Sequence, residues 1–236
     1  MDISQKEEVE RLRRERKEWF GHNALHILNG QAMYQAFLSN QLIRDSDYLP
    51  FNEAMCVHPT TKEVFTDAFI DIRAKGHQSY IADYRKQVMK PLEPLFERRY
   101  QYIVLWFGED MFCQMKLLTL LAYLEQSSYQ GKVILNRFTE SGPFKVDQQE
   151  LELGKYATAY EEVLINQSRP SVELPALMIQ AINIYLAIHE NTHPAIKYIA
   201  QHKHLPITEL VNQLLAHFPE IGYGDVQYNE LINKNS

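Results

Sequence analysis

The sequence predicts an α/β fold: a wound, mostly parallel sheet followed by an all-helical C-terminal region. Three observations carry this. Tyr102-Ile103-Val104-Leu105-Trp106-Phe107-Gly108 is an unbroken apolar run closed by a glycine and followed by helical periodicity from Met115 to Leu124, the pattern of a strand buried on both faces in a parallel sheet. Strand and helix patterns alternate through the first part of the chain, as βαβ units require. Beyond Gly142-Pro143 the strand patterns fade and helix patterns take over.

Taken in order, the elements divide the chain into a charged leader helix (1–20), a sheet domain (21–145) and a helical domain (146–236). Ser4 with Glu7 makes a capping box, and Val9, Leu12, Arg16 and Trp19 share one face of a leader whose basic and acidic residues nearly balance. Mixed-sign charge of this kind predicts a solvated, salt-bridged helix rather than a nucleic-acid arm. Leu25-His26-Ile27-Leu28-Asn29-Gly30 reads as a first strand and tight turn, with a helix over 31–42. His26, inside that strand, reads as a hydrogen-bonded core residue. Tyr48 to Phe51 is a second strand, and Pro50 sends it to an edge. A helical excursion follows, opened by a Thr60/Glu63 capping box and broken at Pro91 and Pro94. Lys132 to Leu135 is a fourth strand, and helices are expected at 156–166, 174–190, 194–201, 206–217 and from Asp225. The resulting β-α-β-α-β-α-β order implies a mostly parallel, wound, Rossmann-like sheet; if the winding reverses between the first and third strands, their end loops face each other.

Composition narrows the function classes. With 236 residues, 45% hydrophobic and 23% charged, this is the profile of an ordinary globular protein. A net charge of −6 argues against a bulk grip on nucleic acid or anionic membrane. Cys56 and Cys113 are too few for a disulfide framework or a cysteine-built zinc site. Residues 4–18 are charged where a signal peptide would be apolar, and no apolar run approaches the ~20 residues of a membrane span. The expectation is a cytoplasmic protein.

Parallel sheets bind ligands outside the carboxyl ends of their strands, where the winding reverses. The residues at that address are Asn29, Gly30 and Gln31 after the first strand, Glu53 after the second, and Glu109, Asp110, Cys113 and Gln114 after the third. Gly30 leading into a helix frees backbone N–H groups for an anion or carbonyl. The three carboxylates suit a hard cation, a ribose hydroxyl pair or general acid–base work, or simply an acidic helix start. Cys113, in the first turn of a helix, could be a nucleophile with His58 as its base, although the adjacent acids and burial oppose a thiolate. Neither the dinucleotide fingerprint nor the P-loop spacing is present, so no cofactor is assigned.

Read from Leu25 through Leu124, the chain resembles the bacterial domain-of-unknown-function 1835 family. The residues that carry the likeness are Leu25 to Gly30, Glu53 with His58-Pro59, and Leu105-Trp106-Phe107-Gly108-Glu109-Asp110 with Cys113-Gln114. Leu151 to Tyr156 and Ile221 to Tyr228 are similar to the region that follows this domain in relatives. Many members carry an acidic residue after the Asn-Gly turn, where this chain has Gln31. The resemblance implies the domain but no established activity.

His189-Glu190-Asn191-Thr192-His193 matches the zincin pattern, which needs both histidines on one helix face. Pro194 breaks that helix and makes His193 the cap of the next one, so no metal site is assigned. The acidic C-terminal helices read as a cap or dimer surface rather than a DNA reader. Two readings of function remain open. One is an enzyme or sensor holding a small polar ligand, such as a nucleotide or phosphorylated metabolite, between the Asn29 and Asp110 loops. The other is a non-enzymatic interaction or regulatory protein whose leader helix and helical tail bind a protein partner or a second copy.

Overall fold

The structure, a computed structural model, describes residues 3–138 and 144–235. The Gly142-Pro143 break and the Ser4 side-chain cap lie outside what is described. Helix α1 (Ile3–Glu15) and a short 3-10 turn (Lys17–Phe20) lead into strand β1 (Ala24–Leu28). Helix α2 (Gly30–Ser39) and edge strand β2 (Asp47–Pro50) follow, then α3 (Asp67–Gly76), α4 (Ile81–Tyr84) and α5 (Glu93–Phe96). Strand β3 (Tyr102–Gly108), helix α6 (Met111–Gln126), strand β4 (Lys132–Phe138) and strand β5 (Val146–Leu151) complete the sheet. The remainder is helical: α7 (Tyr156–Tyr160), α8 (Ala176–His189), α9 (Pro194–Gln201), α10 (Ile207–His217) and α11 (Asp225–Lys234).

The sheet has five strands in the order β2-β1-β3-β4-β5. The first four run parallel and β5 is antiparallel to β4. The winding therefore reverses between β1 and β3, and the β1 and β3 ends lie side by side. Pro50 pairs with Leu28 from the outermost strand, where its missing N–H costs no ladder bond.

Strand periodicity explains the two cores. Leu25, Ile27, Ile103, Leu105, Phe107, Val133 and Leu135 point to one face, where α6 and the C-terminal helices cover them. Ala24, Leu28, Val104, Trp106 and Ile134 point to the other, under Val9 and Leu12 of α1 and Phe37 of α2. Helix α6 is buried nearly all round, which is why its apolar pattern shows little amphipathicity. His26 is a core residue as expected: Trp106 Nε1 donates to its Nδ1 at 3.0 Å, and burial lowers its pKa to about 3.

Several boundaries differ from the sequence reading. The Thr60/Glu63 box starts no helix. Thr66 caps α3 six residues later, accepting from Phe69 N at 3.3 Å, while the Thr60 hydroxyl bonds to Tyr160 Oη. Strand β4 runs on to Phe138, so Asn136 is a buried strand residue. The division at 145/146 falls just before β5, which pairs with β4 along its length. Its Asp-Gln-Gln-Glu middle is too polar to read as a strand, because this sheet edge faces solvent. One apolar core also runs from the sheet into α7, α8, α9, α10 and α11, and the Glu125 carboxylate at the end of α6 accepts from the backbone N–H groups of Tyr156 and Ala157 at 2.8 and 2.7 Å. The leader is likewise part of the fold: Val9 and Leu12 are fully buried, and Glu8 accepts from Val146 N at 2.9 Å.

Leu12→Ala should cost ~2–5 kcal/mol in denaturant unfolding, as core truncations do. Arg13→Ala, which removes only an exposed pair with Asp45, should cost less than ~1 kcal/mol. Equal small losses for both would show that α1 is a loose appendage.

Candidate functional site

Across the reversal point lies a cavity of about 770 Å³ at the carboxyl ends of β1, β2 and β3. Asn29, Gly30, Gln31 and Ala32 line one side, Asn52, Glu53 and Ala54 another, and Asp110, Phe112, Cys113 and Lys116 the floor. Lys86, Gln87 and Pro91 come from the excursion between β2 and β3, and Gly222 and Gln227 from the C-terminal helices.

Of the residues expected here, Asn29, Gly30, Gln31, Glu53, Asp110 and Cys113 do line the cavity. Glu109 and Gln114 do not. Glu109 turns toward β4 and faces Arg137 at 3.5 Å. Gln114 is buried and donates to Gly108 O at 2.7 Å, bracing the turn behind the site.

Asp110 is the N-cap of α6, its Oδ1 accepting from Cys113 N at 2.8 Å. Burial raises its pKa, and the cap bond only partly offsets this. Cys113 sits in the first turn, accepting from Asn29 Nδ2 at 2.8 Å. Burial, reinforced by Asp110, pushes its thiol well above the ordinary value of 9.0. That disfavours the thiolate a nucleophile would need. His58, its expected base, lines a separate cavity with Cys56, His189 and Tyr223. The zincin histidines are split as expected: His189 ends α8, while His193 caps α9 and accepts from Ala195 N at 3.2 Å.

Glu53 is held inside a buried network. Its carboxylate accepts from Arg73, Tyr84 and the Ala54 N–H, and lies 2.7 Å from His77 Nε2. Burial alone would raise the carboxyl, but His77 and the Arg73 charge outweigh it and hold the pKa at about 2. Arg73 also donates to the carbonyls of Ala54, Val57, His58 and Pro59 at 2.7–3.2 Å. The loop after β2 has no regular structure of its own, so this guanidinium is what shapes that cavity wall.

Lys116 is the residue the sequence reading missed. It is 3% exposed, and among the described residues its hydrogen bond goes to Asn29 Oδ1 at 2.8 Å. The ammonium lies over the rings of Phe51, Phe107 and Phe112 at 5.6, 6.0 and 5.4 Å, a cation–π setting. Burial lowers its pKa from 10.5 to about 8, which corresponds to on the order of 3 kcal/mol of disfavoured charge. A lone lysine in the run Met115-Lys116-Leu117-Leu118 was the available signal. The other missed wall is the C-terminal segment. Gly222 has φ +72°, and a Cβ there would come within 2.0 Å of Asp110 Oδ1, so only glycine lets this turn close over the carboxylate.

No protein-family model matches the chain, and no curated protein matches it.

Below pH 8 the Lys116 ammonium is charged in the folded and the unfolded chain, so its burial penalty is fully present. From about pH 8 to 10.5 the folded amine is neutral while the unfolded one still holds its proton, so stability should rise with pH across that window. Lys116→Met should flatten this rise, seen as urea midpoints at pH 7.5 and 10; an unchanged slope would contradict the assignment. Glu53→Gln leaves Arg73 buried beside a neutral amide and should cost ~3–5 kcal/mol at pH 7, whereas a loss under ~1 kcal/mol would show the network to be incidental.

Proposed function

We propose that this protein binds a small polar anion, of the class of nucleotides and phosphorylated metabolites, in the cavity between the β1 and β3 ends. The observation that carries the reading is Lys116, a buried ammonium bordering the cavity with no carboxylate at salt-bridge distance among the described residues, Glu53 and Asp110 acting on it only from farther away. Burying a cation this way is costly unless something compensates it. A Cβ at Gly30 would lie 3.7 Å from Nζ, so the charge sits beside the first turn of α2. There the Asn29 side chain makes no cap bond, and Gln31 and Ala32 of that turn line the cavity. Helix N-terminus and cation together favour a phosphate or carboxylate. Asn52, Gln87 and Gln227 supply amides for the rest of the ligand, and Phe112 an apolar wall.

On this reading the sheet is used in the Rossmann-like manner, with the ligand at the reversal point. The chain would be a member of the domain-of-unknown-function 1835 family acting in the cytoplasm. No helix among the described residues is long and apolar enough to cross a membrane. The alternative use of α1 as a docking helix loses support, since Val9 and Leu12 are spent on the sheet.

The test is a thermal-shift series with inorganic phosphate, nucleotides and sugar phosphates. A ligand at 100 times its Kd should add ~2.7 kcal/mol. Lys116→Met should abolish the response and Glu109→Gln should leave it intact. Silence across the series, or a response untouched by Lys116→Met, would reject the proposal.

A further inference from the structure

An ion pair does not exhaust what Lys116 can do. A lysine amine desolvated in an apolar pocket is also a carbonyl nucleophile. We propose that Lys116 is a covalent anchor, its amine condensing with an aldehyde or ketone carbonyl next to the ligand's anionic group to form an imine. The proposal rests on the anion-binding reading of the cavity and narrows its ligand to small anionic carbonyl compounds, namely 2-oxo acids and short phosphorylated aldehydes.

Three features of the geometry carry it. Nζ is buried against Phe51, Phe107 and Phe112, so water is largely excluded from the side of the amine away from the cavity. Asn29 Oδ1, at 2.8 Å, accepts one N–H and so orients the amine. Nζ lies close to the first turn of α2, so an anion held there places an adjacent carbonyl carbon within bonding reach of the nitrogen. A ligand whose carbonyl is many bonds from its anion would not fit this spacing. Asn29 is itself fixed by its second bond, to Cys113 Sγ at 2.8 Å.

The chemistry balances without any redox partner. The neutral amine adds its lone pair to the carbonyl carbon, forming a C–N bond and a carbinolamine. The carbonyl oxygen then departs as water with the two amine protons, leaving the C=N bond. At pH 7.5 the unliganded amine, titrating near 8, carries on the order of a hundredfold more free base than an ordinary lysine; a bound anion restores part of the charge, so the labelling advantage is smaller than that ratio.

The experiment treats the full chain at pH 7.5 with pyruvate or glycolaldehyde phosphate and sodium cyanoborohydride, and reads each lysine by peptide mass mapping. Phosphate-induced thermal shift is recorded in parallel. We expect Lys116 to be alkylated at least about tenfold faster than exposed Lys75 and Lys90, and inorganic phosphate to protect Lys116 alone. The compound that labels distinguishes a carboxylate from a phosphate anchor. Lys116→Arg, which keeps the cation, should retain the phosphate shift and show only background labelling. A phosphate shift with Lys116 labelled no faster than the surface lysines overturns the imine and leaves the anion site standing. No shift and no selective labelling removes both, and selective labelling that phosphate does not slow rejects the anion-directed mechanism.

Discussion

The buried pair of Glu53 and Arg73 is the constraint on which the cavity depends. The stretch from Asn52 to Pro59 leaves the edge strand without helix or strand to satisfy its backbone. Arg73 supplies the missing donors to four of its carbonyls, and Glu53 supplies the countercharge. Desolvating two charges rarely adds net stability over an apolar pair. What it contributes here is a single loop geometry, since each guanidinium N–H has a fixed direction. That geometry sets Asn52 and Ala54 at the cavity wall and Phe51 beneath the Lys116 ammonium. Glu53 thus matters to the site as a support whose lone pairs are already spent. The general acid–base role open to it on sequence grounds is closed by its partners.

The cavity has two opposite electrostatic characters. Asp110 caps α6, and the cap bond only partly offsets the cost of burying its carboxylate at the cavity. On the other side, the buried Lys116 ammonium lies beside the first turn of α2, where the Asn29 side chain makes no cap bond. The strand reversal brings the two within one crevice, and the αL turn at Gly222 folds the C-terminal helices over it. The helical region is therefore a wall of the cavity as well as a cover for the sheet.

Much of this was legible in the sequence where one physical signal dominated. The β3 run, buried on both faces, could only be a central strand, and Pro50 could sit only at an edge. The strand-end rule points to the same loops that bring Asn29, Gly30 and Asp110 to the cavity, because it depends on topology rather than on side-chain detail. The failures have equally specific causes. Glu109 and Gln114 sit one residue off the inward direction, which spacing along the chain does not encode. Thr60 and Thr66 offer the same cap, and tertiary contact with Tyr160 decided between them. Strand β5 is too polar to announce itself. Lys116 was hidden by its neighbours: a cation inside an apolar helix reads as noise until the fold shows which cavity it borders. Gly222 and Gln227 reach the site from more than a hundred residues away, a contact that no local pattern reveals.

The most direct test of the central claim is an NMR titration of the lysine side chains, following the ε-carbon and ζ-nitrogen signals with and without inorganic phosphate. The structure predicts one lysine, assigned to Lys116 by its absence in Lys116→Met, that titrates near 8 in the free protein. Phosphate should move that midpoint back up toward the ordinary 10.5, because a bound anion restores the charge that burial disfavours. A Lys116 that titrates like its surface neighbours, or one whose midpoint phosphate leaves in place, would contradict the account.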